Sequence, residues 1–258
     1  MAHALSWRVL VDPPLPGVVN MARDHALADE LKPGGAVLRL YRWDQPTLSL
    51  GRNEPGTSAY DTDVARDSGV PIVRRPTGGR AVLHDDELTY AVVVPLRGLG
   101  GLRQVYERVN EGLVCGLRSM GADVGLASSS GMASRPDAGP CFQEPAAGEV
   151  VAGGRKLVGS AQARVGDALL QHGSLILGGD QRALERLRRD GQVVESPATL
   201  RGLLGRSPEW DDITSAIRTG LEQVLGGSWS EGVMGERESD AQVRLEALYA
   251  SDEWTWRV

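Results

Sequence analysis

Cys141 stands in a loop context, with Gly139-Pro140 before it and Phe142 after it. Lys156 follows 15 residues later, in the run Gly153-Gly154-Arg155-Lys156. A free thiol has a pKa near ~8.5, and a neighbouring ammonium favours the thiolate, which is the nucleophilic form. A thiolate with a positive partner is an acyl-transfer constellation. The same two residues also read as a small apolar loop residue and a solvated hairpin charge, and the segment alone does not choose. Two further groups stand close by in sequence: Gly159-Ser160-Ala161-Gln162, expected as a small-polar turn, and His172-Gly173.

A second stretch, VRRPTGGRAVLHDDELTYAVVVP, offers different chemistry. Gly78 and Gly79 let backbone approach a ligand closely and aim N–H groups at it. Arg74, Arg75 and Arg80 add positive charge suited to a phosphate or carboxylate, with Thr77 inside the turn and His84 just beyond it. A glycine hairpin with solvated arginines fits the same residues. It is not a P-loop, because no Lys-Ser or Lys-Thr follows.

The elements that must position these groups are short. Strands are expected at residues 7–11, 36–41, 47–51, 73–75, 81–83, 88–94, 123–126, 149–152, 156–159 and 168–177. The pair at 36–41 and 47–51 is joined by the turn Arg42-Trp43-Asp44-Gln45-Pro46. Helices are expected at 18–31, with Met21, Asp24, Leu27 and Leu31 near one face and Asn20 as N-cap, and at 61–67. The clearest helix covers 102–120, where Leu102, Val105, Val109, Leu113, Leu117 and Met120 form a stripe. Further helices are expected at 180–189, 197–204, 213–225 with Asp212 as N-cap, and 240–249. Residues 127–140 carry no periodicity and deliver the chain to Cys141. Mixed short strands followed by helices give an α+β class. One catalytic domain over residues 1–258 is expected, with its core at about 34–228 and a short helical tail at 229–258.

Bulk properties narrow the function. A net charge of −6 argues against a broad nucleic-acid surface, which needs a basic face. Thirty-three glycines favour turns and short strands over long helices. Two cysteines make no disulfide framework, and Cys115, inside a helical pattern, reads as a buried small hydrophobe. No run of about 18 apolar residues exists, so a cytoplasmic chain without membrane spans is expected, and no metal set stands out.

Taken together, VRRPTGGRAVLHDDELTY, GRKLVGSAQAR and LQHGSLIL resemble the biotin/lipoate protein ligase and octanoyltransferase superfamily, and NMARDHAL, TLSLG and YASDEW extend the likeness. Within it the chain is most similar to LipM-like octanoyltransferases. Arg80 follows Gly79 where ligases carry a third glycine, and Gly-Pro-Cys-Phe stands where they carry an Arg-x-Asn-Asp-type segment. With the sequence ending at Val258, the extra C-terminal domain of many single-chain ligases is not expected. The resemblance implies a mixed, largely antiparallel sheet with packed helices, of the biotin/lipoate ligase catalytic-core, class II synthetase-like type. It also implies an acyl tunnel with Arg75, Gly78, Gly79, His84 and Lys156 around its mouth.

The implied activity moves octanoate from octanoyl-acyl carrier protein to a lysine of a lipoyl domain, such as the glycine cleavage H protein or a 2-oxoacid dehydrogenase E2. Cys141 would hold the acyl group, and Lys156 would lower its pKa. His84 or His172 would accept the amine proton, and amides of the Gly78-Gly79 loop or of Ser160-Ala161-Gln162 would hold the oxyanion. The donor is already a thioester, so no cofactor is required. An ATP-dependent lipoate ligase with an incidental Cys141, an amidotransferase between lipoyl domains, and a non-catalytic acyl-binding module are the competing readings.

Overall fold

A computed structural model of the chain describes residues 4–128, 147–179, 181, 183–191 and 196–258. Cys141, with Gly139, Pro140 and Phe142, lies outside the described residues. In chain order the elements begin with β1 (Ser6–Val11), α1 (Gly17–Asp29), β2 (Gly35–Tyr41), β3 (Thr47–Leu50), α2 (Gly56–Ala59) and α3 (Thr62–Asp67). They continue with β4 (Ile72–Arg74), β5 (Val82–His84), β6 (Glu87–Pro95), α4 (Leu102–Ser119) and β7 (Gly125–Leu126). Then come β8 (Val150–Ala152), β9 (Arg155–Lys156), β10 (Val158–Val165), β11 (Ala168–Ile176), α5 (Ala183–Leu187) and α6 (Leu200–Leu204). The last are α7 (Trp210–Leu225), β12 (Ser228–Glu231), α8 (Glu236–Tyr249) and α9 (Asp252–Thr255).

Six strands make the main sheet in the order β10-β11-β6-β2-β1-β12. Pairing is antiparallel from β10 to β2 and parallel from β2 through β1 to β12, the mixed and largely antiparallel sheet expected. Successive side chains of a strand point to opposite faces. In β6, Leu88, Tyr90, Val92 and Val94 enter one core, while Ala91 and Val93 enter another. Helices α4 and α7 close the first face with Val105, Val109, Leu113, Ile217 and Leu221. Helices α1 and α8 close the second with Met21, Leu27 and Tyr249. Coverage on both faces is why β6 reads as a nearly unbroken apolar run, whereas the equally buried β11 carries Gln171, His172, Gly173 and Ser174 at its centre.

The second sheet, β4-β3-β5, carries the glycine loop between β4 and β5, and a third joins β7, β8 and β9. Strands β2 and β3 follow each other through the expected turn but belong to different sheets. The 156–159 run divides, with Arg155 and Lys156 in β9 and Gly159 in β10. Ser160, Ala161 and Gln162 are therefore strand residues and not a turn.

Two expected caps also move. Helix α1 starts after Pro16, so Asn20 lies in its first turn. There Asn20 is buried and donates Nδ2 to the carbonyls of Leu15 (3.0 Å) and Arg42 (3.2 Å). Helix α7 starts after Glu209, which places Asp212 in its first turn, where its charge still favours the helix dipole. Cys115 is half-buried, not buried, and its thiol donates to Gln223 Oε1 at 2.9 Å. Among the described residues no helix is long and apolar enough to cross a membrane.

Candidate active site

A cavity of about 410 Å³, its open mouth included, lies where β6, β10 and β11 meet the second sheet. Met21, Tyr41, Trp43 and Val82 supply apolar wall, while Gly159, Ser160, Ala161, His172 and Gly173 line it from β10 and β11. Arg75, Gly79, Ser49 and His84 complete it from the second sheet. Of the five residues expected at the mouth, Arg75, Gly79 and His84 line the cavity, whereas Gly78 and Lys156 do not.

The two histidines are each held between a hydroxyl and a carboxylate. His172 Nδ1 lies 3.0 Å from Asp24 Oδ2, and its Nε2 lies 2.6 Å from Thr77 Oγ1. Asp24 is fully buried on α1 and also accepts from Arg39 (2.7 Å) and the Tyr41 hydroxyl (2.8 Å). Burial works to raise the Asp24 pKa, but the Arg39 charge and the His172 bond outweigh it and hold the carboxyl below its ordinary range. Burial pulls His172 down, more strongly than the Asp24 carboxylate lifts it, so the ring is neutral at pH 7. With Asp24 ionised, Nδ1 carries the proton, and Nε2 accepts from the Thr77 hydroxyl.

His84 is built the same way from other elements. Its Nδ1 meets Glu87 Oε1 at 2.7 Å and its Nε2 meets Ser49 Oγ at 2.7 Å. Trp43 stacks on the ring at 3.9 Å and donates Nε1 to Thr89 Oγ1 at 2.8 Å. The buried Glu87 carboxylate keeps one oxygen, Oε2, without a hydrogen-bond partner among the described residues.

The glycine loop is braced from within. Arg75 sends Nη2 to the carbonyls of Gly78 (2.9 Å) and Arg80 (2.6 Å), and Nη1 to Ser49 O and Oγ (3.0 Å each). Gly79 has φ of 85°, and a Cβ at Gly51 would run into the Gly79 carbonyl, so both positions favour glycine. Arg74 does not face a ligand. It is fully buried, and its guanidinium donates to the carbonyls of Gly51 (2.6 Å), Glu54 (2.7 Å) and Thr255 (2.8 Å).

On β10 only part of the backbone is open. The bond from Ile176 N to Leu157 O makes 157/176, and hence 159/174 and 161/172, the hydrogen-bonded pairs of the ladder. The Ala161 amide thus faces β11, while the amides of Ser160 and Gln162 face the free edge of the sheet. Ser160 Oγ lies 2.7 Å from the Tyr90 hydroxyl, whose pKa burial pushes up to about 12. The Gln162 side chain bonds Leu102 O (3.0 Å) and Gln171 (2.9 Å), outside the cavity lining.

Lys156 is buried, with Nζ 2.7 Å from Glu149 Oε1. Glu149, Asp24, Ser49, Trp43 and Glu87 belong to this arrangement and were missed as site residues. Asp24 on an apolar helix face and Glu87 opening an apolar strand were the signals available.

With this geometry in hand the known proteins separate clearly. The lipoyl protein ligase A/B catalytic domain model matches residues 16–222. The chain belongs to the lipoyl protein ligase A/B family. Octanoyltransferase LipM of Kyrpidia tusciae is 37% identical over 273 residues, which cover 98% of this chain and 99% of that one. LipM of Symbiobacterium thermophilum is 36% identical, covering 98% of each chain. The family likeness drawn from the scattered motifs is thereby borne out. A solved lipoate-protein ligase A bound with ATP superposes with a TM-score of 0.84 at 23% identity, covering 98% of this chain and 99% of that one. A bipartite lipoate protein ligase of Thermoplasma acidophilum does so with 0.79 at 22%, covering 98% and 96%. Those two show that this lipoyl ligase family member has the expected fold.

Proposed function

We propose that the chain is an octanoyltransferase of protein lipoylation, an acyltransferase that takes octanoate from acyl carrier protein and leaves it on a lysine of a lipoyl domain. The observation that carries this reading is the likeness to LipM octanoyltransferases over 98% of the chain. A slot with apolar walls, whose arginine is bonded to loop carbonyls, supports it.

In this mechanism the Cys141 thiolate attacks the carbonyl carbon of the donor thioester. A new C–S bond forms, and the carrier sulfur leaves as a thiolate that takes up a proton. The lysine amine of the acceptor then attacks the acyl-enzyme, an amide bond forms, and the Cys141 thiolate leaves. Thiol-to-thiol exchange is nearly isoenergetic and thioester to amide is downhill, so no nucleotide is needed. Neutral His172, with Nε2 as an acceptor and Asp24 behind it, suits the amine proton through the Thr77 hydroxyl. The free-edge amide of Ser160 suits the oxyanion; one such donor is worth ~10²–10³ in rate. Lys156, the buried cation of β9, takes the role of lowering the Cys141 pKa, and Glu149 fixes its position.

Intact mass after mixing with octanoyl-carrier tests the scheme. A gain of one octanoyl group is expected, absent in Cys141→Ala. An adduct that forms only with ATP and free octanoic acid, and survives Cys141→Ala, would replace this reading with an ATP-dependent ligase.

A further inference from the structure

Arg52 and Arg257 are both exposed, and both lie against the same indole: their guanidinium carbons stand 5.7 and 4.8 Å from the Trp254 ring centroid. Trp254 is fixed by its Nε1 bond to Arg74 O (2.8 Å) and by an edge contact with Tyr249 at 5.7 Å. Among the described residues neither guanidinium has a carboxylate within ion-pair distance. Of the acidic groups nearby, Glu54 accepts from Gly51 N, Ala81 N and Tyr60, Asp252 accepts from Trp256 Nε1, and Glu253 is exposed to solvent.

Like charge is crowded at this spot. Burial lowers the Arg74 pKa, Glu54 opposes that, and the charges of Arg257 and Arg75 lower it further. Arg52 acts in the same sense on His25, after burial and against Asp29. Crowded cations without counter-ions destabilise a fold, and an anionic partner removes that penalty. In a chain of net charge −6 such a patch is a local exception.

Its position ties it to the slot. Arg52 N donates to Thr77 O at 2.8 Å, so the patch begins at the backbone of the loop whose Gly79 lines the cavity. We propose that Arg52 and Arg257, set against Trp254, receive the anionic surface of the carrier domain that delivers the acyl thioester, around its phosphate-bearing arm. The proposal rests on the octanoyltransferase reading. Charge complementarity at the loop that borders the slot selects the donor, because its thioester must reach this opening on a phosphorylated arm.

Steady-state transfer to a lipoyl domain is measured with two donors, octanoyl-carrier and octanoyl-pantetheine, which has no phosphate and no protein. In Arg52→Gln/Arg257→Gln the KM for octanoyl-carrier rises about tenfold or more with kcat held. Turnover of octanoyl-pantetheine is unchanged. Added salt raises the wild-type KM for octanoyl-carrier toward that of the variant. Arg52→Lys/Arg257→Lys, which keeps the charge, recovers most of the loss. An unchanged KM for octanoyl-carrier overturns the proposal, as does an equal loss with both donors. A rise confined to the KM of the lipoyl-domain acceptor also overturns it and assigns the patch to the acceptor. Absence of transfer from either donor in the wild-type protein is a different result, and it defeats the functional reading itself.

Discussion

Asp24 has no exposed surface, yet three donors converge on its two oxygens from β2 and β11. Replacing it by Asn keeps the shape and removes the charge opposite the buried Arg39. Breaking a buried pair typically costs about 3–5 kcal/mol. Asp12, 2.6 Å from Arg39 Nε, retains part of that, so Asp24→Asn is expected to lose about 3 kcal/mol in denaturant unfolding. Acid acts in two stages. His172 and His25 both have folded pKa values below the ordinary 6.5, through burial first. Below about 6.5 the unfolded chain takes up protons that the folded chain refuses. Stability is therefore complete above that pH and falls beneath it, by at most about 1.4 kcal/mol per pH unit per group. Asp24 and Glu238, held low by Arg39 and Arg8 against the effect of burial, add a second loss below about pH 4. Unfolding curves from pH 8 to 3 should show both, with the first stage shallower in His172→Gln. At this scale the sequence revealed which residue types were present, but not their partners. His172 and His84 stood out as rare side chains, whereas Asp24 lies 148 positions from His172 and Ser49 lies 35 from His84. Those pairings belong to the folded topology.

Helices α4 and α7 meet through glycine. A Cβ at Gly220 would fall well inside contact with Gly112 O and Gly116 N, both backbone atoms that cannot swing away. Gly→Ala in a helix interior gains about 1 kcal/mol of propensity. Forcing extra volume into a close-packed site costs about 1–3 kcal/mol, and against backbone the upper end applies. Gly220→Ala is expected to destabilise by about 2 kcal/mol despite the better helix former, read by thermal melting. Periodicity exposed both helices: the stripe from Leu102 to Leu117 matched α4 (Leu102–Ser119) closely. It did not expose β12, four residues of which two are serines, because a short edge strand carries little apolar pattern. The run at 156–159 failed for a related reason. Leu157 separates β9 from β10, and the step between sheets leaves the apolar pattern unbroken.

On the scale of the molecule, the last described segment closes the site's second sheet. Helix α8 packs on α1, and the carbonyl of Thr255 accepts from Arg74 beside the loop carbonyls of Gly51 and Glu54. Arg74→Lys keeps the charge but loses the fork that reaches all three, leaving buried acceptors unmet at about 1–3 kcal/mol. Faster amide exchange is expected at residues 51–56 and 252–258 together, with α4 and α7 unchanged. Exchange at only one of the two segments would show that Arg74 does not join them. The reach of this contact, 181 positions along the chain, bears on how the protein is made. A ribosome exposes the glycine loop long before it exposes Thr255, so the growing chain holds a loop that nothing yet clasps. The groove is thus complete only once the chain has been made as far as Thr255, and a chain stopped short of it has no completed groove in which an acyl group can be misplaced.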